Sequence, residues 1–138
     1  MTVRRELTQA ERDFLSEPRF AVLGTTNANG SPHLTVMWYV LDGDEIMFNT
    51  AAGRRKPDNL ARDGRASLIV PDGYRFVRVE GTARANDDQA VAQADIRRLA
   101  LHYYQSEDRV QRSVSATWAK QHRITYRMPV RRVYSSGL

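Results

Sequence analysis

The sequence has 138 residues, of which 41% are hydrophobic, and it combines a formal net charge of +5 with the absence of cysteine. This length favours one domain, and a chain without cysteine has no disulfide framework, thiolate metal site or cysteine nucleophile. No apolar run approaches the roughly 20 residues that span a bilayer, and "MTVRRELTQAERDFL" lacks the apolar core of a signal peptide, so we expect a soluble cytoplasmic protein.

The first third of the chain predicts a helix followed by three strands. Thr8 and Glu11 have the spacing of a capping box, which opens a short helix that ends before Pro18. The segments "RFAVLGTT" and "SPHLTVMWYVL" have the composition of strands, and "NANG" between them is typical of a turn. A second turn at "DGD" leads into a third strand, "EIMFNT".

A basic junction follows the third strand. Arg54, Arg55 and Lys56 precede a proline that suits the first turn of a helix over 57–63. The first N–H groups of a helix are unpaired and its dipole favours an anion, while Asn59 would place a spare amide in the first turn. The junction therefore has the chemistry of a phosphate site, although charge alone fits a solvated helix start equally simply. It matches neither a Walker loop nor a dinucleotide glycine fingerprint.

The rest of the chain predicts two long helices between strands. "ASLIV" and "YRFVRVEGTARA" are predicted as strands, and Asn86 is the expected cap of a helix that runs to about Tyr104. A second helix is expected around 109–118. The strands "HRITYRM" and "VRRVY", separated by Pro129, close the chain. Short antiparallel strands with a few helices at their ends predict an α+β barrel.

The second basic zone lies at the C-terminal end. Residues 118–138 contain no acidic residue and five cations: Lys120, Arg123, Arg127, Arg131 and Arg132. Two local basic zones favour discrete anion sites over a nucleic-acid surface, so we expect no nucleic-acid partner. His33, His102 and His122 are widely spaced and predict no metal site.

The order of these segments resembles the pyridoxamine 5'-phosphate oxidase-like split barrels. The stretch "EIMFNTAAGRRKPDNLARDGRASLIV", followed after a turn by "YRFVRVEG", carries the resemblance, which extends over about residues 10–134. The strongest matches are the Arg-Lys pair at 55–56, "RASL" at 65–68 and "VRVEG" at 77–81. The resemblance implies one domain over 1–138, a six-stranded antiparallel split β-barrel with short flanking helices. It also implies a homodimer that binds FMN or the deazaflavin F420 between its subunits.

The same resemblance assigns cofactor contacts to four segments. The second strand would pass along the cofactor ring, and the end of the third strand would hold the ring edge or the ribityl chain. The basic junction would bind the phosphate, and the stretch after the "PDG" turn would approach from the second subunit. Trp38 could instead be an ordinary core or interface aromatic, and no catalytic residue is implied. The expected cofactor-binding residues are Thr35, Val36, Met37, Trp38, Asn49, Thr50, Arg54, Arg55, Lys56, Asn59, Tyr74 and Phe76.

Three features separate the chain from true pyridoxamine phosphate oxidases. The ending "VRRVYSSGL" lacks their Arg-x-x-Leu-x-Pro-like motif, Phe76 replaces a common glutamine, and "LTVMWYV" lacks flanking basic residues. The segment "SPHLTVMWYV" together with Arg54 and Lys56 is more similar to the small actinobacterial deazaflavin-dependent reductases of the superfamily.

These similarities imply an F420-dependent oxidoreductase. It would transfer a hydride from reduced F420 to an electron-poor small molecule such as an enone, a quinone or a lactone. We expect one of Arg127, Arg131 and Arg132 to lie near the acidic tail of F420. The alternatives are an FMN- or F420-binding carrier without turnover and an FMN-dependent oxidase-like enzyme.

Overall fold

The computed structural model describes residues 3–138, which form four α-helices, nine strands and one 3-10 turn. The helices are α1 (Gln9–Ser16), α2 (Arg55–Arg62), α3 (Gln89–Tyr104) and α4 (Glu107–Ala116), and the 3-10 turn is Trp118–Lys120. The first five strands are β1 (Ala21–Thr26), β2 (Pro32–Met37), β3 (Val40–Asp42), β4 (Glu45–Ala51) and β5 (Arg65–Asp72). The last four are β6 (Arg75–Thr82), β7 (Arg84–Asn86), β8 (Arg123–Pro129) and β9 (Arg132–Ser136).

The strands form two antiparallel sheets. The five-stranded sheet has the order β2-β1-β5-β6-β9, and the four-stranded sheet has the order β3-β4-β8-β7. The α+β class is therefore confirmed. The expected count of six strands is not confirmed, because residues 3–138 contain nine strands in these two sheets.

Two of the predicted strands pass from one sheet to the other, and this accounts for part of the difference. "SPHLTVMWYVL" breaks after Met37 into β2 and β3, and the hydroxyl of the buried Tyr39 donates a hydrogen bond to the Leu15 carbonyl at 2.9 Å. "YRFVRVEGTARA" breaks at the buried Ala83, whose N–H donates to the Gly64 carbonyl at 2.8 Å. At each break, a hydroxyl or a backbone N–H group donates a hydrogen bond to a carbonyl outside the two sheets.

The helix starts are a mixture of confirmed and wrong predictions. The capping box of Thr8 and Glu11 is present at the start of α1. The expected cap of α3 is wrong: Asp88 caps it, and its carboxylate accepts from the N–H groups of the second and third helical residues. Asn86 lies at the end of β7, and its side chain accepts from the Asp88 N–H at 3.0 Å. A short polar side chain at either position can make such a bond, so sequence alone does not separate them.

The main core fills the space between the two sheets. Gly81 in β6 lies very close to β8 of the other sheet, because a Cβ there would lie 2.3 Å from the carbonyl oxygen of Pro129. Only a glycine allows this approach of the two backbones. The buried core side chains on the strands include Leu23, Ile46, Phe48, Leu68, Val70, Val77, Val79, Tyr126 and Met128.

A smaller apolar cluster joins α3 to the outer face of the four-stranded sheet. Val40 and Met47 from the sheet pack with Ile96 and Leu99 from α3, and two partly buried tryptophans, Trp38 and Trp118, pack against them. This packing holds α3 over the ends of β4 and β8. Within residues 3–138 the structure contains no helix with the length and hydrophobicity that a membrane span requires.

Candidate functional site

A cavity of about 310 Å³ opens where the ends of β2 and β4 meet the start of α2. Its other walls come from α3 and from the segment that joins α4 to β8. This volume lies at the lower end of the range for small-molecule sites, roughly 300–1,000 Å³. The cavity therefore has room for a large part of a cofactor-sized ligand.

Three cations line this cavity without an acidic residue among its lining residues. They are Arg54 and Lys56 from the β4–α2 junction and Arg123 from the start of β8. Burial, together with the positive charges of Arg54 and Arg123, lowers the pKa of Lys56 to about 8. Burial and Arg54 also lower the pKa of Arg123 to about 10. Each lowered pKa means that burial and neighbouring cations destabilise the charged form of the side chain. An anion bound in the cavity would offset this, so the cavity favours an anion.

Arg123 was not among the residues predicted for the site. It pairs with Ala51 across the β4–β8 ladder, which brings it beside the basic junction. Its side chain is 5% exposed; Nε donates to Asn49 Oδ1 at 2.9 Å and Nη1 donates to Gln121 Oε1 at 2.6 Å. Its backbone is held by Gln89, which accepts from the Arg123 N–H at 3.0 Å and donates to its carbonyl at 2.8 Å. The sequence signal for a cation at this site is the absence of acidic residues from 118–138, but that signal applies equally to all five cations of the segment.

Aromatic side chains also line this cavity. Trp38 lines the cavity and stacks on Tyr103, with ring centroids 5.1 Å apart and planes 10° apart. Trp118 meets Trp38 edge to face at 6.2 Å, and Phe20 stacks on the other side of Tyr103 at 5.9 Å. Trp38 is thus both a packing residue and a cavity residue. Flat apolar walls of this kind suit a planar conjugated ring.

The structure brings more than half of the predicted site residues together. Asn49 is fixed by hydrogen bonds, since its Nδ2 donates to the Ala92 carbonyl at 2.9 Å and to Thr125 Oγ1 at 3.1 Å. Its amide is therefore already engaged on both sides, because its oxygen accepts from Arg123. The predicted residues that line the cavity are Val36, Met37, Trp38, Asn49, Thr50, Arg54 and Lys56.

Arg55 and Asn59 lie apart from this cavity. Arg55 is exposed and lines an open groove with Asn59 and Arg62, and this groove shares Arg54 with the cavity. Asn59 is buried within α2, and its Nδ2 donates to Thr25 Oγ1 and to Asn27 Oδ1, each at 3.1 Å. The expectation of a spare Asn59 amide in the first helical turn is wrong, because α2 begins at Arg55 and the amide ties the helix to β1.

The remaining predicted contacts do not line the cavity of this chain. Thr35 Oγ1 is buried and has no hydrogen-bond partner within residues 3–138. Tyr74 is 99% exposed at the turn between β5 and β6. Phe76 packs edge to face on Tyr134, with ring centroids 5.6 Å apart. Tyr74 and Phe76 therefore stand on the five-stranded sheet, outside the cavity.

The three C-terminal arginines, one of which was expected near a cofactor tail, do not line the cavity. Arg127 pairs with Asp42 at 3.0 Å and with Glu45 at 3.5 Å. Arg131 and Arg132 line a groove along the five-stranded sheet. In this chain the C-terminal cation at the cavity is Arg123. Among residues 3–138, no three His, Asp or Glu side chains are grouped so that they could hold a metal ion.

Known proteins share this sequence pattern and fold. One curated relative, the F420H(2)-dependent biliverdin reductase of Mycobacterium tuberculosis, is 37% identical over 87 residues, which are 61% of this chain and 64% of that protein. The chain thus spans less than two thirds of the relative's length. A solved structure of an F420 reductase has a TM-score of 0.75 at 19% identity and covers 93% of this chain and 98% of that one.

A second solved structure is more similar in sequence. It is a conserved hypothetical protein of Mycobacterium tuberculosis, with a TM-score of 0.74 at 29% identity, covering 95% of this chain and 85% of that one. The family described as pyridoxamine 5'-phosphate oxidase matches residues 7–127, nearly the whole chain. The chain therefore belongs to the pyridoxamine 5'-phosphate oxidase family.

Proposed function

We propose that this protein is an F420-dependent oxidoreductase, folded as one split-barrel domain. The observation that carries the proposal is the cavity, whose lining combines three cations with aromatic side chains and contains no acidic residue. F420 has both parts that such a cavity would bind, a planar deazaflavin ring and a phosphodiester. The curated relative and one structural neighbour, named for F420, support the same cofactor over FMN.

The residues of this chain divide the binding of such a cofactor between them. Arg54 and Lys56 stand at the start of α2, where charge and the helix dipole act on a phosphate together. Trp38 and Trp118 offer flat surfaces for the ring, and the buried Thr50 closes the cavity beside them. When bound, reduced F420 supplies a hydride, and the chain's task is to bind it, exclude water and leave one ring face open.

The same arrangement supports one substrate class. An acceptor for a hydride must be electron-poor and must stack on the open ring face, so we propose a conjugated small molecule such as an enone, a quinone or a lactone. The relative is named for the reduction of biliverdin, which supports a conjugated acceptor. The aromatic wall beside the cavity supports a planar one.

We also propose that the protein works as a homodimer. The outer face of the five-stranded sheet exposes Leu34 at 66% and Val36 at 70%, and Tyr74 at its edge is 99% exposed. Apolar residues grouped in this way on one face favour a protein partner. A second copy on this face would cover them, and its Tyr74 and Phe76 could approach the cavity of the first.

Turnover of reduced F420 tests this function directly. The purified protein would be mixed with reduced F420 and a panel of enones, quinones and lactones without oxygen, and F420 oxidation followed by its absorbance. We expect oxidation that requires both protein and acceptor, and a much slower reaction with reduced FMN. Tight binding of F420 without turnover on any acceptor would indicate a carrier, and turnover with FMN alone would contradict the proposal.

A further inference from the structure

We propose that Arg123 is a third phosphate-binding residue of the cavity and that Asn49 is a positioning residue that acts through it. The inference deepens the proposed function and rests on it for the identity of the physiological anion, F420. It assigns Asn49 a role different from contact with the cofactor ring. Both residues lie on the β4–β8 ladder, where Asn49 pairs with Thr125 and Ala51 pairs with Arg123.

The charge of Arg123 has no carboxylate partner within residues 3–138, unlike the charges of Arg4 and Arg127. Arg4 pairs with the buried Glu11, Arg127 pairs with Asp42 at 3.0 Å, and both partners are acidic. Among the arginines of residues 3–138, Arg123 is the one that is buried, at 5% exposure, yet its side-chain partners are two neutral amides. A buried cation whose hydrogen-bond partners are neutral amides is not neutralised by them, so its charge remains available to pair with an anion.

Arg123 also retains donors for such an anion. A guanidinium has five N–H donors, and the bonds to Asn49 and Gln121 use two of them. The side chain lines the cavity together with Arg54 and Lys56. The remaining fork of N–H groups is suited to a phosphate, which guanidinium groups bind with two parallel hydrogen bonds.

The position of Arg123 is fixed before any ligand arrives. Gln89 binds the Arg123 backbone at both its N–H and its carbonyl. Gln93 holds the preceding turn by donating to the carbonyls of Trp118 at 2.9 Å and Gln121 at 3.1 Å. A side chain that is ordered in advance loses less conformational entropy on binding, which favours affinity.

Asn49 orients the guanidinium and has no donor left for a ring. Its two N–H groups bond to the Ala92 carbonyl and to Thr125 Oγ1, and this turns its oxygen toward Arg123. Thr125 is itself held, since its hydroxyl donates to Asp95 Oδ2 at 2.8 Å. Asn49 is therefore expected to affect binding only while Arg123 is present.

The test measures F420 affinity and stabilisation by inorganic phosphate for four variants. Arg123→Gln removes the charge, Arg123→Lys keeps it, Asn49→Ala removes the positioning contact, and the double variant Arg123→Gln/Asn49→Ala completes a cycle. Arg5→Gln is the matched control, because Arg5 is exposed and does not line the cavity. Thermal shifts in phosphate are compared with those in chloride at equal ionic strength.

We expect Arg123→Gln to weaken F420 binding by about tenfold to a hundredfold and to reduce the stabilisation by phosphate. Arg123→Lys should recover part of both, and Arg5→Gln should change neither. Asn49→Ala should weaken binding in the wild-type background and add nothing to Arg123→Gln. If Arg123→Gln fails to fold, Arg123→Lys and Asn49→Ala still report on the phosphate effect.

Unchanged F420 affinity and unchanged phosphate stabilisation in Arg123→Gln would overturn the role of Arg123. Additive losses in the double variant would overturn the positioning role of Asn49 and favour its contact with the cofactor. These outcomes are separate from failure of the proposed function. A wild-type protein that prefers FMN would contradict F420 dependence, while loss of FMN and phosphate binding in Arg123→Gln would still support the anion-binding role.

Discussion

The charged form of Lys56 is destabilised in the cavity of the free protein. Burial and two neighbouring arginines lower its pKa to about 8, so its charge is disfavoured until an anion is bound. We predict that Lys56→Ala weakens F420 binding by about tenfold to a hundredfold, the effect of one charge-assisted contact. The melting temperature of Lys56→Ala should equal or exceed that of the wild type, because the variant lacks the repulsion between Lys56 and the neighbouring arginines. Isothermal titration and a thermal melt measure both quantities.

The matched control for this change is Lys120→Ala. Lys120 is the other lysine of the chain, and it is exposed and does not line the cavity. It should leave F420 affinity within about twofold, since exposed charges contribute little. Equal losses for the two lysines, or a large drop in melting temperature with unchanged affinity for Lys56→Ala, would contradict a ligand-binding role for Lys56.

The same lysine predicts opposite pH trends for binding and for stability. Lys56 in the free protein loses its proton as the pH rises through about 8, whereas an unfolded chain keeps it to about 10.5. Between these values the unfolded state binds more protons, so this group makes the free energy of unfolding rise with pH. Anion binding needs the charged form, so F420 affinity should fall above about pH 8. Lys56→Ala should lack this part of the fall; identical pH profiles would contradict the prediction.

At the scale of elements, the β4–β8 ladder shows what the sequence could and could not predict. The local signals around Thr8, the basic junction and the alternating strands are sufficient to predict most elements. They also suffice to place Arg54 and Lys56 at the start of a helix. Arg123 could not be selected, because its place depends on pairing with Ala51 from a distant strand. The two strands that change sheets were missed for a related reason, since their breaks serve contacts with residues far along the chain, such as Tyr39 with Tyr103.

Gly81 offers a prediction at this scale. A Cβ at this position would lie 2.3 Å from the Pro129 carbonyl oxygen, so β6 and β8 would have to separate. We predict that Gly81→Ala lowers the free energy of unfolding by about 1–3 kcal/mol, as overpacking of a core does. Urea unfolding measures it. Gly24→Ala is the control, because its Cβ would meet Leu34 at 3.4 Å, an ordinary contact. Equal effects of the two changes would show that the close approach is not needed for stability.

At the scale of the whole molecule, the open face of the five-stranded sheet predicts self-association. Val36 is 70% exposed on this face, and its end of β2 also lines the cavity. We predict a dimer by analytical ultracentrifugation at micromolar concentration, and dissociation to monomer in Val36→Glu, because a buried unpaired charge at an interface costs several kcal/mol. Cofactor affinity should fall with dissociation if the partner completes the site.

The control for the dimer is Val91→Glu. Val91 is 40% exposed, but it lies on α3, away from the sheet face. It should remain a dimer. A wild-type monomer, or a Val36→Glu variant that stays dimeric, would show that the sheet face is not the contact between copies.

A paired titration with F420 and FMN, at low and at high salt, tests whether this cavity binds F420 in preference to FMN. F420 extends more negative charge beyond its ring than FMN, and three cations line the cavity with no acidic residue beside them. Exposed charges are screened within roughly 8–10 Å at physiological ionic strength. We predict tighter binding of F420 than of FMN at low salt, and an advantage that shrinks as salt is added. Tighter binding of FMN at low salt would contradict this preference.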